Sequence, residues 1–434
     1  MLIIYTKKIT PRFTYAAKQI FERILNIPFY VSDSYSNNNN SNSFVVYYGI
    51  EDANSTNIIY NSGLCEKEGI EVFTPVLSSH LDKPVYFLNQ HKSNDYNIDI
   101  FSLVFYFLSR YEEYLPSQKD KHERFTAKAS ISAMNHHLDF PIVDYWVRHF
   151  GEYLLSEFPD LKIPNPEFQF IPSFDIDHAW KFKNKGLVRN TGGFFRDLMN
   201  GKYEQLKERF KVLSGKLADP YDTFEDINET HKSFELIYFI LLGSSHRLDI
   251  NISSDDNHFI NLLRELALKA TLAIQPSYES NINPELLKKE KEKLSKIINK
   301  PITKSRQHFL KLNLPETYNQ LINAGITEDY TMGYADQMGF RAGTAYCFNW
   351  YNLSSESSTD LLIWPFVAMD VAMREYLQLN PKDAFLRLEN LKSSIQKSGG
   401  NLILVWHNSS FCEAEGWEDW VIKYKEFLIN IKSS

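Results

Sequence analysis

The stretch FQFIPSFDIDH, Phe168 to His178, runs from apolar, β-rich residues into two carboxylates and an imidazole. Comparable apolar runs follow at ELIYFILL (Glu235 to Leu242), ATLAI (Ala270 to Ile274), LLIWPFVAM (Leu361 to Met369) and NLILVW (Asn401 to Trp406), with longer polar or helix-patterned stretches between them. Strands alternating with helices predict a mostly parallel sheet in an α/β fold. The helices are signposted. Asn283 caps one whose first position is Pro284 and whose stripe is Leu287, Leu294, Ile297 and Ile298, and a second stripe runs through Phe259, Leu262, Leu263 and Leu266. Pro315 opens a shorter helix that Gly325 ends. Roughly six or seven such repeats point to a barrel-like domain, with an open doubly wound sheet as the competitor, and periodicity does not separate the two.

Upstream, three prolines between Ser156 and Phe168 mark a connection, with a boundary near Pro164 and hence a division into residues 1–160 and 165–434. The first part begins as a small α/β unit: LIIYT, a helical TYAAKQIFERIL and a strand-like IPFYVS. The Asn/Ser tract Ser34 to Ser43 reads as a solvated loop, and Asp99 to Tyr114 as a buried helix stopped by Pro116.

At 434 residues the chain has the length of two or three domains. Its net charge of −7, without a basic block, argues against nucleic acid as a partner. Cys65, Cys347 and Cys412 form no metal or redox spacing and read as reduced thiols. With no secretory pattern at the start and no apolar run of about 18 residues, the expectation is a cytoplasmic protein without a membrane partner.

Parallel strands in a barrel present their C-terminal ends to one mouth, so polar residues that follow apolar runs are the functional candidates. These are Asp175, Asp177 and His178 after the first run, Gln275 after ATLAI, His407 after NLILVW, His308 in SRQHF and Asp329 in the DYTMGY segment. Asp175 and Asp177 project to one side of an extended segment, and like charges so close need a cation, a proton or an Arg between them. That suits a base beside a metal ligand, and equally a capping loop. One carboxylate with one or two imidazoles is the ligand economy of a hydrolytic zinc site. Arg341, in MGFRAG, offers a fixed charge to orient a carboxylate, and His407 an imidazole to protonate a leaving group. Each of these residues taken singly also fits a structural role.

In this order, SFDIDH, QPSYES, SRQHF, DYTMGYADQMGFRAGT and LVWHNSSF resemble the motifs of the polysaccharide deacetylase (NodB homology) superfamily over roughly residues 165 to 434. SRYEEYL and FPIVDYW resemble the extra N-terminal domain of one bacterial branch. The resemblance implies a distorted (β/α)7 barrel with a smaller N-terminal α/β domain, a divalent metal, zinc first, and removal of an N- or O-acyl group, acetyl above all, from a carbohydrate. Carried over by position, Asp175 is the general base, Arg341 orients it and His407 is the general acid. Asp177, His308 and Gln275 would hold the metal, while His178, Tyr278, Asp329 and Trp350 would meet substrate. The branch reads His-Pro-Ser-Tyr where this chain reads Gln275-Pro276-Ser277-Tyr278. A neutral amide is a poorer zinc donor than imidazole, so a different ion or none is expected. The competing expectation is therefore a catalytically impaired carbohydrate-binding or scaffold protein, with Trp180, Tyr278, Trp350 and Trp406 available to stack on sugars.

Overall fold

A computed structural model describes residues 1–34, 44–50, 57–90, 96–243 and 247–432, so the Asn/Ser tract beyond Ser34 lies outside the described residues. Leu2–Thr6 (β1), Phe29–Ser32 (β2), Phe44–Tyr48 (β3) and Ile58–Ile59 (β4) form a parallel sheet in the order β2-β1-β3-β4. Against it pack the helix Pro11–Lys18, whose N-terminal amide of Phe13 donates to Thr10 Oγ1, and the helix Ile100–Leu108, buried along its whole length. The second helix ends at Leu108 and not at Pro116. Arg110 adopts a left-handed φ of 54° while its guanidinium bonds Glu112 and Glu113. A short hairpin, Ser78–His80 (β5) and Lys83–Val85 (β6), completes this part.

The larger sheet contains Phe168–Ile176 (β7), Ile237–Leu241 (β8), Thr271–Gln275 (β9), Lys304–Ser305 (β10), Glu328–Asp329 (β11), Phe348–Asn352 (β12), Ser357–Ile363 (β13), Ala368–Met369 (β14) and Gly400–His407 (β15). Its order is β12-β13-β11-β10-β9-β8-β7-β15-β14, and β12 alone runs antiparallel, to β13. Four of the predicted runs are strands. LLIWPFVAM is divided, Leu361 to Ile363 closing β13 and Ala368–Met369 forming β14.

From β7 each strand steps to the next neighbour as far as β11. The chain then forms the edge strand β12, returns antiparallel to it as β13 beside β11, and finally crosses to the other edge for β14 and β15. This is the order of a barrel cut between β13 and β14. The closed (β/α)7 barrel of the resemblance is not formed, because β13 and β14 do not pair among the described residues. The seam residues bond elsewhere: Trp364 donates its amide to the Asp329 carbonyl and Phe366 to that of Met332, while Pro365 has no amide hydrogen to give.

Strand alternation positions the site. Along β7, Phe170, Phe174 and Ile176 join the main core, whereas Ile171 joins an inner cluster with Ile237, Phe239, Ile403 and Val405. Ser173 and Asp175 continue the inner row, and parallel register sets His407 beside Asp175.

One hydrophobic core runs through both sheets, with Tyr15 and Phe105 packed on Tyr351 of β12. The motifs shared between the two halves meet there. Arg341 donates to Glu113 through Nε at 2.9 Å and Nη2 at 2.6 Å, and Glu113 also accepts from Arg110 at 2.8 Å. Gly339 is required by this contact, since a Cβ at its φ of +126° would lie 2.4 Å from the Leu138 carbonyl oxygen. Asp144, in the helix Ile142–Glu157, bonds the Thr344 hydroxyl and accepts the Ala345 amide at 2.7 Å.

Burial raises the Asp144 carboxyl to about 7, the bonds from Thr344 and Ala345 offsetting only part of that effect. A raised folded-state value favours the protonated native form, so the contribution is complete below the unfolded value and is lost as pH rises through about 7. Asp144→Asn, whose amide reproduces the neutral carboxyl's bonding, should match wild type in thermal unfolding at pH 4 and exceed it at pH 8. Parallel curves across that window would remove Asp144 as a titrating group.

Candidate functional site

Asp175, Asp177, Gln275, His308 and His407 line one cavity of about 190 Å³ at the C-terminal ends of the parallel strands, together with Arg124, Gln307 and Phe309. A larger cavity of about 460 Å³ opens at the opposite ends of β7 and β8, beside Gln169 and Glu235, and none of the sequence-predicted site residues lines it.

Two residues upstream of His308, Arg306 is fully buried. It donates to Asp175 Oδ1 through Nη1 at 2.7 Å, to Ser173 Oγ through Nη2 at 2.8 Å and to the Tyr330 carbonyl through Nε at 3.1 Å. Its guanidinium lies 4.0 Å from the centre of the Phe239 ring. Burial pushes the Asp175 carboxyl above its ordinary value, and Arg306 and His407 offset only part of that rise.

Asp177 stands between two imidazoles. Its Oδ2 is 3.7 Å from His308 Nε2 and 3.6 Å from His407 Nε2. Each ring is fixed from behind: His308 Nδ1 donates to Asp249 Oδ1 at 2.7 Å, and His407 Nδ1 donates to Asp370 Oδ1 at 2.9 Å while the His407 amide donates to Asp370 Oδ2 at 2.8 Å. Burial works against charge on both rings but is outweighed, for His308 by Asp177 and Asp249, which lift it to about 9, and for His407 chiefly by Asp370, which lifts it to about 10. Asp177 is likewise disfavoured by burial, yet His308 and then His407 hold it well below the usual carboxylate range.

The turn that carries His308 is strained, with Phe309 at φ 57° and Leu310 at φ 52°, a region that costs non-glycine residues roughly 1 kcal/mol or more apiece. The N-terminal half holds it. Arg124 donates to the Phe309 carbonyl through Nη1 at 2.5 Å and to Asp120 through Nε at 2.7 Å, and the His122 ring packs on Phe309 with centroids 4.9 Å apart.

Five of the sequence-predicted residues thus share the cavity, and others are placed elsewhere. Arg341 does not orient Asp175: its donors are spent on Glu113 and the Gly333 carbonyl in the contact between the halves. Trp350 is 1% exposed and packed on Tyr318 in the core, out of reach of a substrate. Asp329 is fully buried, accepting from Ser305 Oγ, Thr331 Oγ1 and the Thr331 amide, and burial lifts its carboxyl to about 6. Tyr278 lies outside the cavity lining, its hydroxyl 3.3 Å from His122 Nδ1 and its amide bonded to Asp249. His178 is also outside the lining, half-buried, and its Nδ1 has no hydrogen-bond partner.

Arg306, Asp370, Asp249 and Arg124 were missed. Arg306 was legible from the same two-residue alternation that pairs Asp175 with Asp177, and Asp370 as the carboxylate ending LLIWPFVAM. Asp249 and Arg124 carry no local signal.

Comparison with known proteins adds little at this distance. A model for a family of unknown function (DUF7033) matches residues 2–159, less than half of the chain and outside the strands that carry the site. No curated protein matches. Among solved structures, a putative polysaccharide deacetylase from Mycobacterium smegmatis is 14% identical with a TM-score of 0.41, covering 62% of this chain and 86% of its own. A polysaccharide deacetylase from Bacillus cereus is 8% identical with a TM-score of 0.31, covering 62% and 89%, and an allantoinase is 11% identical with a TM-score of 0.37, covering 62% and 84%. Likenesses this distant carry no weight for what the present chain does.

Removing one partner of a buried pair leaves an uncompensated charge, so Arg306→Met should cost about 3–5 kcal/mol in chemical denaturation. Adding Asp175→Asn should recover part of that loss, whereas the same substitution should recover nothing in Arg341→Met. Equal recovery in both backgrounds would contradict the assignment of Arg306 as the partner of Asp175.

Proposed function

We propose that this chain is a hydrolase that removes an N- or O-linked acyl group from a carbohydrate. One arrangement carries the reading: a carboxylate gripped by Arg306 and an imidazole gripped by Asp370 flank Asp177, whose Oδ1, like Gln275 Oε1, is buried without a hydrogen-bond partner. Such orphaned acceptors cost on the order of 1–3 kcal/mol each unless water or a cation meets them.

The residues present fit a divalent cation. Asp177, Gln275 and His308 are the candidate donors, two of them oxygen ligands, which suits a harder ion better than zinc. Among the described residues no group of three or more His, Cys, Asp and Glu side chains is gathered for a metal, and the amide of Gln275 accounts for the missing member. An ion held by Asp177, Gln275 and His308 would supply Lewis-acid polarisation of an acyl carbonyl and a lowered pKa for water. Asp175, kept proton-receptive by burial, takes the proton of the attacking water, with Arg306 fixing its orientation. His407, protonated at neutral pH, gives its Nε2 proton to the departing amine or alcohol. A cavity of about 190 Å³ admits an acyl group and leaves most of a sugar chain at the rim.

Gln275 also supports a second reading, a carbohydrate-binding protein whose catalysis is lost. Elemental analysis of the purified protein and acetate release from N- and O-acetylated sugars, with added Mg, Mn, Co or Zn, separate the two. On the hydrolase reading wild type turns over, Asp175→Asn and His407→Asn each fall by about 10²–10⁴, and Asp177→Ala loses metal. Metal binding and turnover seen only after Gln275→His would favour the binding protein, and their absence from both chains would reject the hydrolase.

A further inference from the structure

Between β7 and β8 the chain forms three helices, and the first two, Gly186–Met199 and Tyr203–Leu213, pack against each other as a hairpin. The hairpin buries an ion pair and leaves large apolar side chains in water. Between the helices lies an ion pair, Arg209 Nη2 to Asp197 Oδ2 at 2.7 Å, with both side chains under 10% exposed, and the Arg209 guanidinium sits 4.6 Å from the Phe182 ring centre. Outside lie Phe195 at 58% exposure, Met199 at 87%, Tyr203 at 62% and Phe210 at 67%, with Phe194 and Leu213 beside them. A cluster of exposed apolar side chains on one hairpin marks an interaction surface.

Charge supplies an independent observation. Residues 181–217 carry ten Lys and Arg against three Asp and Glu, a net charge of +7 in a chain whose total is −7. Lys202, Lys207, Lys211 and Lys216 are exposed on the same hairpin as the aromatics. No described helix is long and apolar enough to cross a membrane. Short helices that combine exposed aromatic and aliphatic residues with lysines have the composition of an element that lies in a bilayer interface.

We infer that this hairpin docks the protein on the surface of an anionic lipid bilayer. The same hairpin of a second copy would set +7 against +7 and be repelled, and a nucleic acid would use the lysines while leaving Phe195 and Met199 in water. The expectation of no membrane partner rested on the missing apolar run, which excludes a spanning helix and not a surface-lying one. Lys181 ties the base of the hairpin to Glu208 and to Glu415 beyond β15, both at 2.6 Å, so the hairpin rises from the rim that carries Asp177 and His407. The docking is independent of the chemistry proposed for the cleft.

Co-sedimentation of the full chain with vesicles of phosphatidylcholine alone, and of phosphatidylcholine mixed with phosphatidylglycerol, tests it at low and high salt. Wild type should bind the mixed vesicles, bind the neutral ones at least about tenfold more weakly, and be released by salt. Replacing Lys202, Lys211 and Lys216 with Gln should weaken binding roughly a hundredfold, at about 1 kcal/mol per lysine. Phe195→Ser with Met199→Ser should weaken it at least about tenfold. Circular dichroism identifies the variants that keep the fold, and the lysine set alters only exposed positions. Failure of folded wild type to bind mixed vesicles, undiminished binding by both variants, or loss in the variants of a dimer seen by light scattering would each overturn the proposal.

Discussion

Arg306 has no water to solvate it, and the way the fold answers that constraint organises the larger sheet. A buried guanidinium must have its donors filled, and Arg306 spends them on β7, through Asp175 and Ser173, and on the residue that follows β11, through the Tyr330 carbonyl. The Phe239 ring of β8 covers its face. β7, β8 and the end of β11 are thereby tied to one side chain at the level of the site. With Asp175 so engaged, Asp177, two residues further along, is left to face His308 and His407. The two acids differ by partner and not by type: one is matched to a permanent cation and raised by burial, the other is matched to two imidazoles and lowered.

The N-terminal half belongs to the same structural problem. The block DYTMGYADQMGFRAGT is the most distinctive of the sequence, yet its arginine does no work in the cleft. Arg341, Thr344 and Gly339 are where Glu113, Asp144 and Leu138 dock, so SRYEEYL and FPIVDYW are the other side of one contact. Arg124 extends the contact to the site itself by holding the strained turn behind His308. Positive charge is also distributed unevenly. The hairpin of residues 181–217 concentrates it at the rim of the cleft while the remainder of the chain is acidic.

Local periodicity was enough to locate much of the fold. The alternation in FQFIPSFDIDH placed Asp175 and Asp177 on one face, and the cap at Asn283 and the proline at Pro284 marked a helix that formed as read. Strand-end position also found Gln275, His308 and His407, because a parallel sheet sends those ends to one side. Whether the sheet closes was not legible. That depends on the seam at residues 364–367, where two amides bond β11 and the loop beyond it and Pro365 has none to offer.

What the sequence determined by itself is therefore what propagates along the chain: strand and helix periods, caps, and which residues share a face. Tertiary structure alone decided which charge answers which. Asp175 and Arg306 are 131 positions apart, and Glu113 and Arg341 are 228 apart. Two arginines, each in a short motif near a glycine or a histidine, look alike in sequence. They become a site residue and a docking residue only when burial removes water and obliges each guanidinium to take the carboxylate within reach.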